Sequence, residues 1–143
     1  TSIEGSTVGS MTQIGPFANL RPGNDIRNNV KVGNFVEIKK SSINNQSKIP
    51  HLSYIGDTEM GTGVNIGAGT ITCNYDGISK NKTIIEDNVF VGSDSMLIAP
   101  IKLGKNSTTG AGSVLSSDLP ADSLGVTRTK EKHIKNWKRR PKK

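Results

Sequence analysis

Apolar residues recur every six positions along most of this chain. Val8, Ile14, Leu20, Ile26, Val32 and Ile38 keep that spacing without a break. Ile43, Ile49 and Ile55 resume it after a five-residue step, Met60 and Ile66 after another, and Ile85, Val91, Leu97 and Leu103 take it up again. Gly often follows the anchor, as at Gly9, Gly33, Gly56, Gly67, Gly92 and Gly104. Four positions after the anchor stands a small or branched residue, among them Thr12, Ala18, Val30, Val36, Ser53, Val89, Ser95 and Ser107. A period of six matches neither the 3.6 of an α-helix nor the 2 of a flat strand. It suits a β-solenoid in which each short strand turns one anchor inward and then rounds a corner. Three hexads make one triangular coil, and successive coils stack at ~4.8 Å. A single coil cannot bury its own anchor, so such a stack is cooperative. The expected fold is therefore all-β, a parallel β-helix built on a hexapeptide repeat. Spacing alone leaves the hand of the coil open.

The segment Thr72–Thr83, TCNYDGISKNKT, breaks the period and reads as a loop thrown out from a corner. Irregular loops on a rigid scaffold often carry function. From Pro120 the hexads stop. The expected organisation is a β-helix domain over 1–119 with a protruding loop at 72–83, followed by a basic tail over 120–143. Residues from about Thr129 to Trp137 are expected as a short helix or an extended segment.

Composition sharpens this picture. The 143 residues suffice for one domain, and apolar residues make up 32% of them. One anchor per six residues fills only a narrow prism, which is what this supply allows. The net charge of +7 is unevenly spread: Arg128 to Lys143 holds nine Lys or Arg and one Glu, so the preceding 127 residues are close to neutral. A neutral body argues against nucleic acid as a partner, and no apolar run approaches the ~20 residues of a membrane helix. No signal peptide opens the chain, so a cytoplasmic location is expected and the Asn-x-Ser/Thr triplets at Asn45, Asn81 and Asn106 read as chance. One cysteine excludes an internal disulfide and a cysteine-built zinc site, and two histidines are too few for a three-histidine centre. No metal is expected.

Spacing also places candidate chemistry. Arg21 and Lys39 each follow an anchor and lie one full coil apart, so they should project side by side, about 5 Å apart. Two such cations repel unless an anion lies between them. A phosphate fits, with Arg as a bidentate fork and Lys as a point charge; a solvated basic surface is the plainer alternative. His51 and Tyr54 lie on the next coil. Imidazole titrates near neutrality and suits a general base, with Glu37 available to orient it, although a lone His is often structural. Asn65, Asn74 and Tyr75 offer polar contacts, and Ala68, Gly69, Ala111 and Gly112 would let a thin ligand lie against the backbone. Ser93 can donate outward or serve the turn. Cys73 has no evident base partner and reads as a packing residue. The tail combines Arg128, several Lys and Trp137, a set able to meet phosphates and stack on a base, or simply to be solvated.

The strings GPFANLRPG, VGNFVEIKK, HLSYIGD, NIGAGTITCNYDG, KTIIEDNVFVGSDS and GAGSV resemble the acetyltransferase domains of the bacterial bifunctional enzymes that make UDP-N-acetylglucosamine, from about Gly15 to Arg128. The resemblance implies a left-handed parallel β-helix, a homotrimer with active sites between subunits, and transfer of acetyl from acetyl-CoA to the amine of glucosamine 1-phosphate. It implies His51 as general base. It implies Arg21, Lys39, Tyr54, Asn65 and Lys80 as sugar-phosphate ligands, and Ala68, Asn74, Tyr75, Ser93, Ala111 and Arg128 as acetyl-CoA contacts. Acetyl-CoA is a co-substrate, with no permanently bound cofactor. The family's uridylyltransferase half, to which its Mg²⁺ chemistry belongs, has no counterpart here. A hexapeptide acyltransferase for another acceptor, or a non-catalytic β-helix scaffold, are the alternatives.

Overall fold

A computed structural model describes residues 1–141. Short parallel strands stack into three walls of seven, six and seven strands. The first wall carries Ser2–Ile3, Asn19–Leu20, Glu37–Lys39, Tyr54–Gly56, Ile71–Cys73, Met96–Ile98 and Val114–Leu115. The second begins at Ser6–Val8 and ends at Ile101–Leu103, and the third runs from Gln13–Ile14 to Leu124–Gly125. Every strand pairs with the equivalent strand one coil away. Leu20 stands over Ile38, Ile38 over Ile55, and Thr72 over Leu97 across the loop.

The anchors form one core. Leu20, Ile26, Val32, Ile38, Ile43, Ile49, Ile55, Ile66, Val91, Leu97 and Leu103 have no exposed surface. Burying each such side chain is worth roughly 1.5–3 kcal/mol. Val8 stays 40% exposed and Ile14 only partly covered. Two anchor positions are polar: Thr72 and Thr109 are buried in the interior columns. Their hydroxyls are satisfied from the adjacent coil, Thr72 Oγ1 accepting from Gly56 N–H at 2.8 Å and Thr109 Oγ1 from Gly92 N–H at 3.0 Å. A buried hydroxyl is tolerated when it is so paired.

Two boundaries differ from expectation. Strands Ile71–Cys73 and Thr83–Ile85 belong to the walls, so the excursion covers 74–82. Pairing continues past 119, with Thr108 opposite Leu124 and Thr109 opposite Gly125. Residues 129–137 form neither helix nor strand, with a turn at 135–136. Ile134 and Trp137, at 75% and 67% exposure, have no apolar surface to bury against, and clustered Lys and Arg repel one another. Among the described residues no helix is long and apolar enough to cross a membrane.

Candidate functional site on the first wall and its adjoining corner

The parallel register puts Arg21 above Lys39, with Arg21 N–H donating to Ile38 C=O at 2.8 Å. The cations are not left to repel each other. Arg21 Nη1 lies 3.1 Å from Glu37 Oε1, and Lys39 Nζ lies 3.4 Å from Asp57 Oδ2. The first pair is half exposed and so is worth at most about 1 kcal/mol. The second is largely enclosed, with side chains 14% and 18% exposed. The chain thus supplies its own counter-charges, and an anionic ligand here shares or displaces them. Glu37, the residue expected to orient His51, instead turns one carboxylate oxygen to the guanidinium and makes no hydrogen bond to His51 among the described residues.

Tyr54 stands on the next coil, in line with Glu37. Asn74, 5% exposed where the chain leaves the first wall, donates from Nδ2 to Tyr54 Oη at 3.2 Å and to Asp57 Oδ2 at 2.6 Å. Gly56 lies between these groups. A Cβ there would stand 2.5 Å from Tyr54 Oη and 2.6 Å from Asn74 Nδ2, so only Gly leaves room for the contact.

Beyond Asn74 the loop closes as a small hairpin, with Tyr75 and Lys80 bridged antiparallel. Asp76 holds it: the carboxylate accepts from Ser79 N–H at 2.7 Å, Ile78 N–H at 2.8 Å and Asn81 Nδ2 at 2.9 Å. Those bonds, the Ser79 one foremost, lower the Asp76 carboxyl to about 2. The hairpin sets Lys80 Nζ 3.9 Å above the Tyr75 ring, a cation–π contact.

His51, Ala68, Ser93 and Ala111 occupy equivalent positions at the corner between the third and first walls. Backbone bonds fix the column: Gly69 N–H to Leu52 C=O at 3.0 Å, Asp94 N–H to Ala68 C=O at 2.7 Å, and Gly112 N–H to Ser93 C=O at 2.8 Å. The approach of coils is so close that a Cβ at Gly67 would meet Ser93 N at 2.4 Å. The corner therefore presents small side chains and bare backbone, a smooth vertical track. Arg128 reaches its upper end, with its guanidinium over Gly110. His51 is exposed at the lower end, and its ring makes no hydrogen bond among the described residues. The Ser93 N–H likewise has no partner among them.

Asn65 stands apart. It projects from the third wall, between Lys48 and Phe90. Within one chain it does not meet Arg21 and Lys39, which lie at the far edge of the first wall. Burial raises the Cys73 thiol above its ordinary value, which keeps it protonated and a poor nucleophile. Cavities of about 460 and 500 Å³ lie on the second wall, lined by residues such as Glu59, Glu86 and Lys105 or Ile84, Pro100 and Lys102, and hold none of the candidate site residues. Thr72, Asp57 and Asp76 are the contributors that spacing did not single out.

Residues 82–117 match the family described as hexapeptide repeat of succinyl-transferase. The chain is 54% identical over 143 residues to the bifunctional protein GlmU of Thermodesulfovibrio yellowstonii, covering 100% of this chain and 32% of that protein. It is 60% identical over 141 residues to GlmU of Nitrosomonas eutropha and 56% over 138 residues to that of Desulfitobacterium hafniense, covering 31% and 30% of them. The chain thus spans about a third of the length of the curated relatives it matches, and its close homologues are bifunctional GlmU proteins. Among solved structures, a mutant of AntD, an N-acyltransferase from Bacillus cereus in complex with dTDP-4-amino-4,6-dideoxyglucose and coenzyme A, superimposes with TM-score 0.75 at 23% identity, over 86% of this chain and 79% of that one. PerB from Caulobacter crescentus, in complex with CoA and GDP-perosamine, gives TM-score 0.71 at 21% identity, over 80% and 55%. These likenesses establish the fold, a left-handed parallel β-helix.

Proposed function

We propose that this chain transfers acetyl from acetyl-CoA to the amine of glucosamine 1-phosphate, giving N-acetylglucosamine 1-phosphate for UDP-N-acetylglucosamine synthesis in the cytoplasm. The supporting observation is the stacked Arg21–Lys39 pair at one edge of the first wall, which also carries Tyr54, with the bare-backbone corner that holds His51 at the wall's other edge. The identity to GlmU proteins supports the same acceptor. Arg21 and Lys39 hold the phosphate, which takes the place of Glu37 on Arg21 while Asp57 keeps the Lys39 ammonium in position, and Tyr54 and Lys80 bound the sugar. The pantetheine arm of acetyl-CoA lies along Ala68, Ser93 and Ala111, with Asn74 and Tyr75 at its side and Arg128 near its phosphates.

In this reading both substrates bind together, which converts the encounter of amine and thioester into a near-unimolecular step. His51 takes a proton from the amine as nitrogen attacks the thioester carbon, a general-base contribution of typically ~10²–10⁴-fold. The free Ser93 N–H or the Ser93 hydroxyl donates to the developing oxyanion. CoA leaves as thiolate and no acetyl-enzyme forms. Asn65, on another wall, is brought in by a second copy, so the working unit is a homotrimer with sites between subunits.

The test is CoA-thiol release from acetyl-CoA with glucosamine 1-phosphate against glucosamine. Turnover with the phosphosugar and a large loss without the phosphate is expected. Equal rates with both, or none with either, would refute this acceptor.

A further inference from the structure

We infer that Asp57, to which the proposed function gives no part in binding either substrate, is a positioning residue that ties the acceptor subsite to the acetyl-CoA subsite. The inference rests on the proposed roles of Lys39, Tyr54 and Asn74. One carboxylate oxygen, Oδ2, faces two donors: Lys39 Nζ at 3.4 Å and Asn74 Nδ2 at 2.6 Å. Asn74 carries the link on to Tyr54 Oη at 3.2 Å. Lys39, Tyr54, Asp57 and Asn74 thus form one network across successive coils. Its members come from both sides of the reaction, two from the phosphosugar's subsite and one from that of acetyl-CoA.

Asp57 is itself held firmly. It takes the left-handed backbone conformation at φ +50, its N–H donates to Lys39 C=O at 2.9 Å, and its C=O accepts from Thr83 N–H at 3.1 Å. Its place at the corner is therefore set by coils above and below, not by the side chains it organises. A carboxylate anchored in this way fixes the stem of a flexible Lys and the orientation of an amide together. Hydrogen bonds to charged groups are the strong ones, and enclosure keeps water from replacing them.

The experiment measures KM for each substrate in Asp57→Ala and Asp57→Asn, beside the parent protein. Asp57→Ala should raise KM for glucosamine 1-phosphate and for acetyl-CoA together, by roughly ten-fold each given two bonds to an ionised acceptor. Asp57→Asn keeps an oxygen where Asn74 donates and removes the charge facing Lys39. It should bring the acetyl-CoA KM back to near the parent's while the acceptor KM stays displaced. A merely structural role would move stability and leave this split unseen. An Asp57→Ala protein that shifts only one KM or neither, or an Asp57→Asn protein that fails to recover acetyl-CoA affinity, overturns the inference. A parent protein without acetyl transfer overturns instead the proposed function on which it rests.

Discussion

Gly56→Ala tests whether the contact between Tyr54 and Asn74 matters. The backbone at Gly56 is not in the left-handed region, so the substitution acts through space alone. The added methyl would stand 2.5 Å from Tyr54 Oη, 2.8 Å from Tyr54 Cζ and 2.6 Å from Asn74 Nδ2. Ordinary carbon contacts begin near 3.5 Å, so both side chains must retreat by about 1 Å. Asn74 is buried and already bonded to Asp57, which leaves Tyr54 to swing away. Overpacking of this kind costs typically ~1–3 kcal/mol, and the 3.2 Å bond from Asn74 to Tyr54 is lost with it. Chemical denaturation should register that loss of stability. Steady-state assays should show a higher KM for the phosphosugar, because Tyr54 leaves its place on the wall. A variant with parental stability and parental KM would refute the claim that this glycine is kept for room.

His51→Ala should lower turnover by ~10²–10⁴-fold with the circular dichroism of the β-helix unchanged; near-parental turnover removes His51 from the base role. Arg21→Ala should raise KM for glucosamine 1-phosphate and leave that for acetyl-CoA in place, and the reverse pattern would move Arg21 to the other subsite. The Asp76 carboxyl, lowered to about 2, binds its proton more weakly folded than unfolded, so its support of the hairpin is complete above the ordinary value of ~3.9 and is lost as pH falls through about 2. The amide resonances of Ser79 and Ile78 should therefore titrate with a midpoint near 2; a midpoint near 4 would show that the three hydrogen bonds do not hold the loop.

The anchors were legible because each hexad exposes one apolar residue against polar neighbours, and the core then follows from stacking. Thr72 and Thr109 were not, because a hydroxyl at an anchor position looks like a break until the adjacent coil's N–H is seen to satisfy it. The register sets Gly56, not Asp57, opposite Lys39, so the Lys39–Asp57 ion pair reaches diagonally between coils and was not legible from spacing. The Arg21–Glu37 pair depends on side-chain rotamers, on which periodicity is silent. The limits of the loop were blurred because Cys73 and Thr83 satisfy wall positions without being hydrophobic anchors. Residues 129–137 have no periodic apolar face to set a conformation.

Phase along the hexads separates Asn65 from Arg21: one precedes an anchor of the third wall and the other follows an anchor of the first. A rigid prism cannot fold these walls toward each other, so a site using both needs two copies of the chain. Arg21→Ala and Asn65→Ala proteins, each impaired alone, then carry complementary defects. Unfolded together and refolded as mixed assemblies, a copy with intact Asn65 will meet one with intact Arg21 at about a quarter of the interfaces by random pairing in a closed cyclic oligomer. Activity in the mixture should rise well above the average of the two parents, toward that fraction of the unsubstituted enzyme. If refolding the two together yields only that average, although both reassemble, the site is contained in a single chain and the inter-subunit reading fails.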